Sequence, residues 1–245
     1  PSLQRPTSAT PNNTNRAYVT IGAVKSGQTS VTFTTKGDIV GGNGVPSMSA
    51  GDSRQFTLNE GQVLNLTAEQ YSSNDLTGSI VKADKEVAVF SGHECANIPS
   101  QTAACDHLEQ QMYPVNVWGK EYVLSKFKPR GQEDDYFRVV ASEDGTTLQT
   151  DPPLGGVDGE TLQRGGMLEF KLRGNIVLSA NKPIAVGQFM VGSQYPGVTK
   201  KCTGDRTNSN IGDPAFLLNV PTNQFRRDYF VMTPDGYAED YINII

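Results

Sequence analysis

Both histidines and two of the three cysteines lie in one short stretch, and these side chains are the best suited to chemistry. His93-x-Cys95 and Cys105-x-His107 form two mirror-image pairs around a loop that contains Pro99. Two Cys and two His side chains make a tetrahedral zinc donor set, and alternate residues of a strand share one face. Neither pair has the usual spacing of a zinc finger. A local disulfide between Cys95 and Cys105, or two unpaired thiols, are the alternatives.

The same stretch could hold a thiol nucleophile, but the rest of a hydrolytic site is missing from the sequence. Such a nucleophile needs a base within hydrogen-bond reach and donors for an oxyanion. Nothing around Cys95 or Cys105 matches a protease signature, and the chain has neither a G-x-S-x-G elbow nor a phosphate-binding G-x-x-x-x-G-K-[ST] loop. We therefore expect a protein that is not an enzyme and that needs no cofactor.

Two acidic clusters, each followed by a tyrosine, are the other candidate ligand groups. Glu133-Asp134-Asp135 and Glu239-Asp240 offer hard oxygen ligands of the kind that Ca²⁺ prefers. The chain lacks a D-x-D-x-D-G pattern, and a charge run at the start of a strand is usually a solvated edge that blocks unwanted pairing. Calcium near Asp134, Asp135 and Asp240 therefore stays an open question, and no metal site is assigned.

The composition indicates a globular β protein. Of 245 residues, 36% are hydrophobic and only 19% are charged, and the net charge is −5. Gly, Thr, Ser and Asn, which favour turn-rich β proteins, take the place of charged residues. A negative surface repels phosphate backbones, so we expect no nucleic-acid partner. The apolar runs are far shorter than a membrane span, so we expect no membrane insertion.

The hydrophobic pattern predicts strands throughout. Residues 54–58 and 168–172 alternate between polar and apolar, which is typical of half-buried strands. Residues 87–90 and 184–186 are short apolar runs that suit strands buried on both faces. No long window has a helical period. The predicted fold class is all-β, with two tandem β-sandwich-like units.

An internal repeat sets the predicted domain boundaries. The spacing of Pro114, Trp118 and Tyr122 recurs 107 positions later with similar residues, and the residues that follow them also match. Other short segments of the first half of the chain match segments of the second half. The matched sets are Pro114, Trp118 and Tyr122 with Pro221, Phe225 and Tyr229; Lys85 to Val89 with Lys182 to Val186; and Gly51 and Phe56 with Gly165 and Phe170. Because Trp118 and Phe225 match, we expect both to serve in packing.

These matches divide the chain into four parts. Residues 1–16 form a flexible, Pro-rich leader, residues 17–112 form β unit one and residues 113–220 form β unit two. Unit one carries an insertion at about 59–76. Residues 221–245 are the start of a further repeat or closing strands of unit two, and the first of these implies that the natural protein continues beyond Ile245.

One stretch resembles a known family. The run Cys105-Asp106-His107-Leu108-Glu109-Gln110-Gln111, followed by Pro114 and Trp118-Gly119 and preceded by Cys95-Ala96-Asn97-Ile98-Pro99, is similar to the N-terminal domain family of the IgGFc-binding protein. The likeness extends from about residue 17 to the end. It implies a secreted module of a large multidomain protein, and so an extracellular location.

The resemblance also favours one of the cysteine alternatives. In an oxidising compartment Cys95 and Cys105 are expected to form a disulfide, which would stabilise the fold by about 2–3 kcal/mol. Cys202 is then unpaired or joined to an external partner, although it could also compete for Cys95 or Cys105.

We expect a non-catalytic binding or adhesion module of a larger secreted or cell-surface protein, with a glycoprotein ligand. The resemblance adds the Fc part of IgG as a candidate ligand. The alternative is a structural spacer or assembly repeat of a matrix, mucus layer or surface filament, which would self-associate. Tyr71 and Tyr195 are the candidate exposed contact residues. Asn12 and Asn65 fit the short glycosylation pattern of a glycoprotein.

Overall fold

The computed structural model describes residues 15–70, 74–100, 102–202, 209–233, 236 and 239–245. Most of the predicted leader, including Asn12, and also Tyr71 lie outside these residues. The described residues contain no helix with the length and apolar character of a membrane span.

The described residues form fourteen β-strands and two short 3-10 turns, so the predicted all-β class is confirmed. The strands are β1 Ala17–Ala23, β2 Gln28–Thr34, β3 Ser53–Asn59, β4 Val63–Thr67, β5 Ile80–Ala83, β6 Val87–Ala96, β7 Asp106–Gln111, β8 Gly119–Leu124, β9 Asp135–Ala141, β10 Thr146–Asp151, β11 Thr161–Leu162, β12 Met167–Leu172, β13 Ile176–Met190 and β14 Ala215–Leu218. The 3-10 turns span Val115–Val117 and Thr222–Gln224.

Strands β1 to β7 form two sheets that share one core. One sheet has the order β4-β1-β6-β7 and the other has the order β3-β2-β5. Alternate residues of β1 and β2 are buried, as expected for strands with one face on a core. Val19 and Ile21 from the first sheet pack in the same cluster as Val31 and Phe33 from the second. This is a sandwich-like arrangement over the residues predicted as unit one.

Strands β8 to β14 form one seven-stranded sheet built around the 15-residue strand β13. The first part of β13 pairs with β8 and β10, and its last part pairs with β9 and β14, with a register shift between Ser179 and Ile184. The long strand therefore bends from one half of the sheet into the other, and the two halves enclose a core that includes Phe137, Leu148 and Leu178.

The two sets of strands have the same pairing order. The order β4-β1-β6-β7 matches β12-β9-β13-β14, and the order β3-β2-β5 matches β11-β10-β13. On this comparison Phe56 in β3 and Phe170 in β12 lie on strands that do not correspond, although their local sequences match. Strand β4 lies inside the segment predicted as an insertion at about 59–76. The sequence repeat itself stays a prediction.

The segment after unit two copies the local structure that precedes β8. Each 3-10 turn starts after a proline and ends at an aromatic residue, Trp118 or Phe225, whose N–H donates to the carbonyl of the first turn residue at 3.1 Å. The Tyr122 hydroxyl accepts the Gly119 N–H at 3.2 Å, and the Tyr229 hydroxyl accepts the Arg226 N–H at 2.8 Å. Trp118 and Phe225 are half-buried, outside the core clusters of the described residues.

The segment after unit two differs in packing from the segment that leads into β8. Tyr122 is 2% exposed because β8 pairs with β13, whereas Tyr229 is 67% exposed. The described residues of 221–245 form no strand. Phe230 and Met232 beside Tyr229 are almost fully exposed as well. The segment thus has the local geometry of a first strand without a neighbouring strand to cover it.

A third core cluster joins the residues predicted as unit one to those predicted as unit two. Ala96, Ile98 and Leu108 from the end of unit one pack with side chains from unit two, which are Phe189, Val191, Val198 and Phe216. The Gln110 side-chain amide on β7 donates to the Phe216 carbonyl on β14 at 3.1 Å. The stretch that carries the family resemblance therefore forms the junction between the units.

The backbones of the two units also approach closely at two glycines. A Cβ atom on Gly78 would overlap the Gly165 carbonyl oxygen, and Gly78 has a φ of +90°. Gly51 has a φ of +92° with open space around it, so it has the same backbone conformation without the contact.

We predict that Gly78→Ala costs about 1–3 kcal/mol more than Gly51→Ala. Both substitutions cause left-handed strain of about 1–2 kcal/mol, and only the first also forces the units apart. Urea unfolding of both variants measures the difference. Equal losses would show that the close approach at Gly78 does not stabilise the protein.

Candidate functional site

The structure joins Cys95 to Cys105, with 5.1 Å between their Cα atoms. The disulfide leaves neither sulfur as a thiolate for zinc or for nucleophilic attack. The buried His93 accepts the Cys95 N–H through Nδ1 at 3.1 Å, and the exposed His107 lies beside Tyr18, with 3.3 Å between its Nε2 and the Tyr18 hydroxyl. In the part of the chain that the structure describes, no group of three or more His, Cys, Asp or Glu side chains could hold a metal ion.

The disulfide instead closes a loop that lies on unit two. Ile98 is buried in the junction core, and its carbonyl accepts the Gly192 N–H at 3.1 Å. Because the disulfide joins the loop ends, the backbone of residues 97–100 is held at a fixed place between the units.

Below this loop lies the outer face of the β9–β12 pair. Strand alternation turns Phe137 and Val139 into the core of unit two and turns Tyr136 and Arg138 outward. Arg138 stands opposite Glu169 in the antiparallel register of the pair. A polar outer face is ordinary for a solvated strand, but here a loop from unit one covers it.

Arg138 connects the two units through charge. Its Nε donates to Glu169 Oε2 at 2.6 Å, while its Nη1 donates to Asp75 Oδ2 at 2.8 Å and to Thr77 Oγ1 at 3.1 Å. The guanidinium carbon lies 5.9 Å from the ring centroid of Phe189. The Arg138 side chain is buried, so the two carboxylates offset the desolvation of its charge.

A cavity of about 170 Å³ opens where these parts meet. Its walls are Asp75 from unit one, residues 97–100 of the disulfide loop, and the outward side chains of β9 and β12, which are Tyr136, Arg138, Met167 and Glu169. Concave sites at such junctions are where ligands usually bind, because polar groups from several elements converge there.

Asn97 contributes to the wall a side-chain amide that makes no hydrogen bond to a described residue. Asn97 is 8% exposed. The amide atoms of Asn97 are not fully buried, so they can bond to water or to a bound molecule.

Two carboxylates, those of Glu169 and Asp134, act on Tyr136 at this site. Burial raises the pKa of Tyr136, a hydrogen bond with Tyr195 opposes the shift, and the charges of Glu169 and Asp134 add to the increase. Tyr195 stands edge-on to Tyr136 and its hydroxyl donates to Asp134 Oδ2 at 3.1 Å. Tyr195 is therefore half-buried and holds the site in place, where the sequence predicted an exposed contact residue.

The first acidic cluster is a buried ion network. Lys126 Nζ lies 3.3 Å from Glu133 Oε1 and 3.2 Å from Asp135 Oδ1, and all three side chains are at most 8% exposed. The Arg130 N–H and the Phe127 N–H donate to these carboxylates at 2.7 Å. The prediction of a solvated edge is wrong for Glu133 and Asp135, because both carboxylates are buried and paired with Lys126.

The other predicted ligand residues do not join this network through their side chains. Asp134 accepts from Arg173 Nε at 3.0 Å and from Tyr195, and Asp240 is exposed. Cys202 is a free, half-buried thiol with its sulfur 3.7 Å from the Asn210 carbonyl oxygen. Asn65 is exposed on β4.

Two comparisons with known proteins show the family of this chain. The family model described as IgGFc binding protein matches residues 5–245. The chain belongs to the IgGFc-binding protein family. It is 37% identical over 196 residues to the IgGFc-binding protein of Homo sapiens, a match that covers 78% of this chain and 3% of that protein. No solved structure matches. The family is one of binding proteins, as the sequence predicted, and the junction carries the motif by which this member resembles it.

We predict that the buried ion network makes this IgGFc-binding family member sensitive to acid. Burial would raise the pKa of Glu133, but the hydrogen bond from the Arg130 N–H and the charge of Lys126 hold that pKa below its usual value of 4.5. A depressed pKa gives stability that is present above the unfolded pKa and is lost as the pH falls through the folded pKa.

Glu133→Gln should therefore cost about 1–3 kcal/mol at pH 7, and the gap from the unsubstituted protein should narrow as the pH falls below about 4.5. Glu143→Gln, which removes an exposed carboxylate 3.9 Å from Lys182, should change stability by less than about 1 kcal/mol. Unfolding curves across this pH range measure both. A gap that stays constant with pH would refute the role given to Glu133.

We predict that replacing both Cys95 and Cys105 by Ala costs about 2–3 kcal/mol, since the bridged residues are 10 apart in sequence. Reductant should weaken the unsubstituted protein and leave the double variant unchanged. Cys202→Ala, which removes no cross-link, is the matched control. Denaturant unfolding with and without reductant decides this, and a double variant that stays sensitive to reductant would contradict it.

Proposed function

We propose that this chain is a non-catalytic binding module of a larger secreted or cell-surface protein, and that its ligand is a glycoprotein. The IgG Fc region is the first candidate ligand, because the human relative is named for it. The ligand contacts the junction cavity and its rim. Adhesion follows when several such modules of one protein engage a glycoprotein-rich surface.

The observation that carries this proposal is the cavity itself. Its walls come from residues of both predicted units and from the loop that the Cys95–Cys105 disulfide closes. A preorganised site loses little conformational entropy when a ligand binds, so a small site can still contribute to affinity. Carboxylates of the cavity wall neutralise the charge of Arg138. This favours a binding role for the cavity over a catalytic one.

The test is surface binding to immobilised IgG Fc, to a mucin and to an unrelated glycoprotein. Met167 lies at the cavity wall and is exposed, so Met167→Glu adds a bulky charge there and should weaken binding at least about tenfold. Val63→Glu makes the same kind of change at an exposed strand position and should leave binding unchanged.

Each outcome has a clear meaning. Saturable binding that Met167→Glu weakens and Val63→Glu does not would support a ligand at the junction. Equal effects of the two variants would show that the ligand binds elsewhere on the surface. Absence of binding to all three proteins would contradict the proposed function.

A second candidate function, a structural assembly unit, is favoured by the exposed segment 226–232. The 3-10 turn Thr222–Gln224 precedes this segment, and the Tyr229 hydroxyl accepts the Arg226 N–H within it. Both features copy those at the start of β8, which pairs with β13. The occupant we propose for it is a central strand of the β13 type from another unit of the same kind, since that is the partner its copy has within this chain. Such pairing would link units in a row.

Sedimentation at rising concentration tests this assembly through a second copy of the chain. Assembly predicts self-association that Phe230→Ser with Met232→Ser abolishes, while Val63→Ser leaves it intact. A monomer at all concentrations, or association that the double variant does not weaken, would contradict pairing between copies through this segment.

A further inference from the structure

The end of the chain lies against unit two along one side. Lys200 Nζ lies 2.9 Å from Glu239 Oε2 and donates to the Tyr241 hydroxyl at 3.3 Å, and that hydroxyl donates to the same carboxylate. The Asn243 side-chain amide donates to the Lys126 carbonyl at 3.1 Å. Glu239, Tyr241 and Asn243 are alternate residues, as expected when one face of an extended segment makes the contacts.

Two exposed lysines of unit two, Lys128 and Lys200, form the surface under Tyr241. Their Nζ atoms lie 4.8 Å and 5.8 Å from the centroid of the tyrosine ring, close enough for cation–π attraction. Backbone bonds hold the two lysines near each other, because the Arg130 carbonyl accepts the Thr199 N–H at 2.9 Å and the Lys200 N–H at 2.7 Å. Unit two therefore builds this cationic surface from its own backbone.

The segment matches β9 both in sequence and in the side that it turns to a unit. An acidic pair followed by a tyrosine stands at the start of β9 and again in this segment. On this match Tyr241 takes the place of Tyr136. Asn243 takes the place of Arg138. On β9 the outward residues face unit one, where Tyr136 packs on the junction core and Arg138 bonds to Asp75.

Lys200 lies in the loop that corresponds to the disulfide loop of unit one. Strands β6 and β7 match β13 and β14 in pairing order, so the disulfide loop between the first two matches the loop between the last two. The disulfide loop lies over Tyr136, and the β13–β14 loop brings Lys200 to Tyr241. Unit two thus presents to this segment the side that unit one presents to β9.

The opposite side of the segment is apolar and exposed. Ile242 is 55% exposed and Ile244 is 94% exposed. On the same match they take the places of Phe137 and Val139, which belong to the core of unit two. A strand with one solvated side normally turns its apolar side to the core that it covers. Here the apolar side points away from unit two, which fits a strand whose core belongs to a different unit.

We infer that Lys128 and Lys200 form a docking surface on unit two for the outward side of a β9-type strand from a neighbouring unit of the same kind. The strand that it accepts carries a carboxylate and a tyrosine at alternate positions, and residues 239–245 occupy the surface in this chain. This inference rests on the second candidate function, assembly of units in a row, and names the surface on which one unit docks on the next.

A peptide with the sequence of residues 239–245 tests the surface by binding it from solution. Glu239→Ala with Tyr241→Ala in the full chain frees the surface from its own segment. We expect this variant to bind the peptide about tenfold more tightly than the unsubstituted chain, because an attached segment competes at a high effective concentration. Amide chemical shifts at residues 126–130 and 199–200 during titration measure the affinity, which should fall as the salt concentration rises.

Lysine substitutions added to the freed variant show where the peptide binds. Lys128→Ala with Lys200→Ala should weaken peptide binding about tenfold, since they remove the ion pair and both cation–π contacts. Lys25→Ala with Lys82→Ala removes two exposed lysines of unit one and should leave binding unchanged. Every substituted residue is exposed, and thermal unfolding checks that each variant keeps the fold.

Three results would overturn the docking surface: equal peptide affinity of the freed and unsubstituted chains, equal effects of the two lysine pairs, or no peptide binding to the freed variant. Sedimentation separates this inference from the assembly candidate. Peptide binding at the lysines by a chain that stays monomeric would contradict assembly between copies and support the surface. Self-association through residues 226–232 without peptide binding would support assembly and contradict the surface.

Discussion

The arrangement of the two units depends on the buried guanidinium of Arg138. A buried charge costs several kcal/mol unless it is paired, and the partners of this one come from different parts of the chain. Asp75 belongs to unit one and Glu169 to unit two. Moving the units apart would leave Arg138 without Asp75, so the ion pair selects one relative position. The apolar junction core around Ile98 and Phe189 supplies the hydrophobic stabilisation of that position.

The cavity follows from this constraint. The loop at residues 97–100 lies over the outer face of β9 and β12, where Tyr136, Arg138, Met167 and Glu169 line the cavity. The disulfide fixes the ends of the covering loop, and Tyr195 and Asp134 support Tyr136 from the side. The cavity lies between this loop and the two strands.

Much of the fold could be predicted from local pattern. The alternating residues 54–58 and 168–172 lie within β3 and β12, and the apolar runs lie within β6 and β13. The local pattern could not predict which strands pair with each other. The match of Phe56 with Phe170 rested on similar local sequence, whereas strand order depends on contacts between residues far apart in the chain.

The site was harder to predict, because its residues look ordinary in sequence. Arg138 occupies an outward position between two buried residues, which is the usual place of a solvated side chain, and only the covering loop buries it. Glu133 and Asp135 look like an exposed edge until Lys126, several residues earlier, folds back between them. The cysteine pair was visible because its spacing and its motif are local features of the chain.

The most direct measurement is hydrogen exchange of the chain with and without bound IgG Fc or another glycoprotein that it retains. We expect added protection to concentrate at residues 74–78, 97–100 and 136–138, where the two units meet. Protection elsewhere on the surface, for example at residues 226–232, with exchange at the junction unchanged, would contradict the claim that the junction between the units is the binding site.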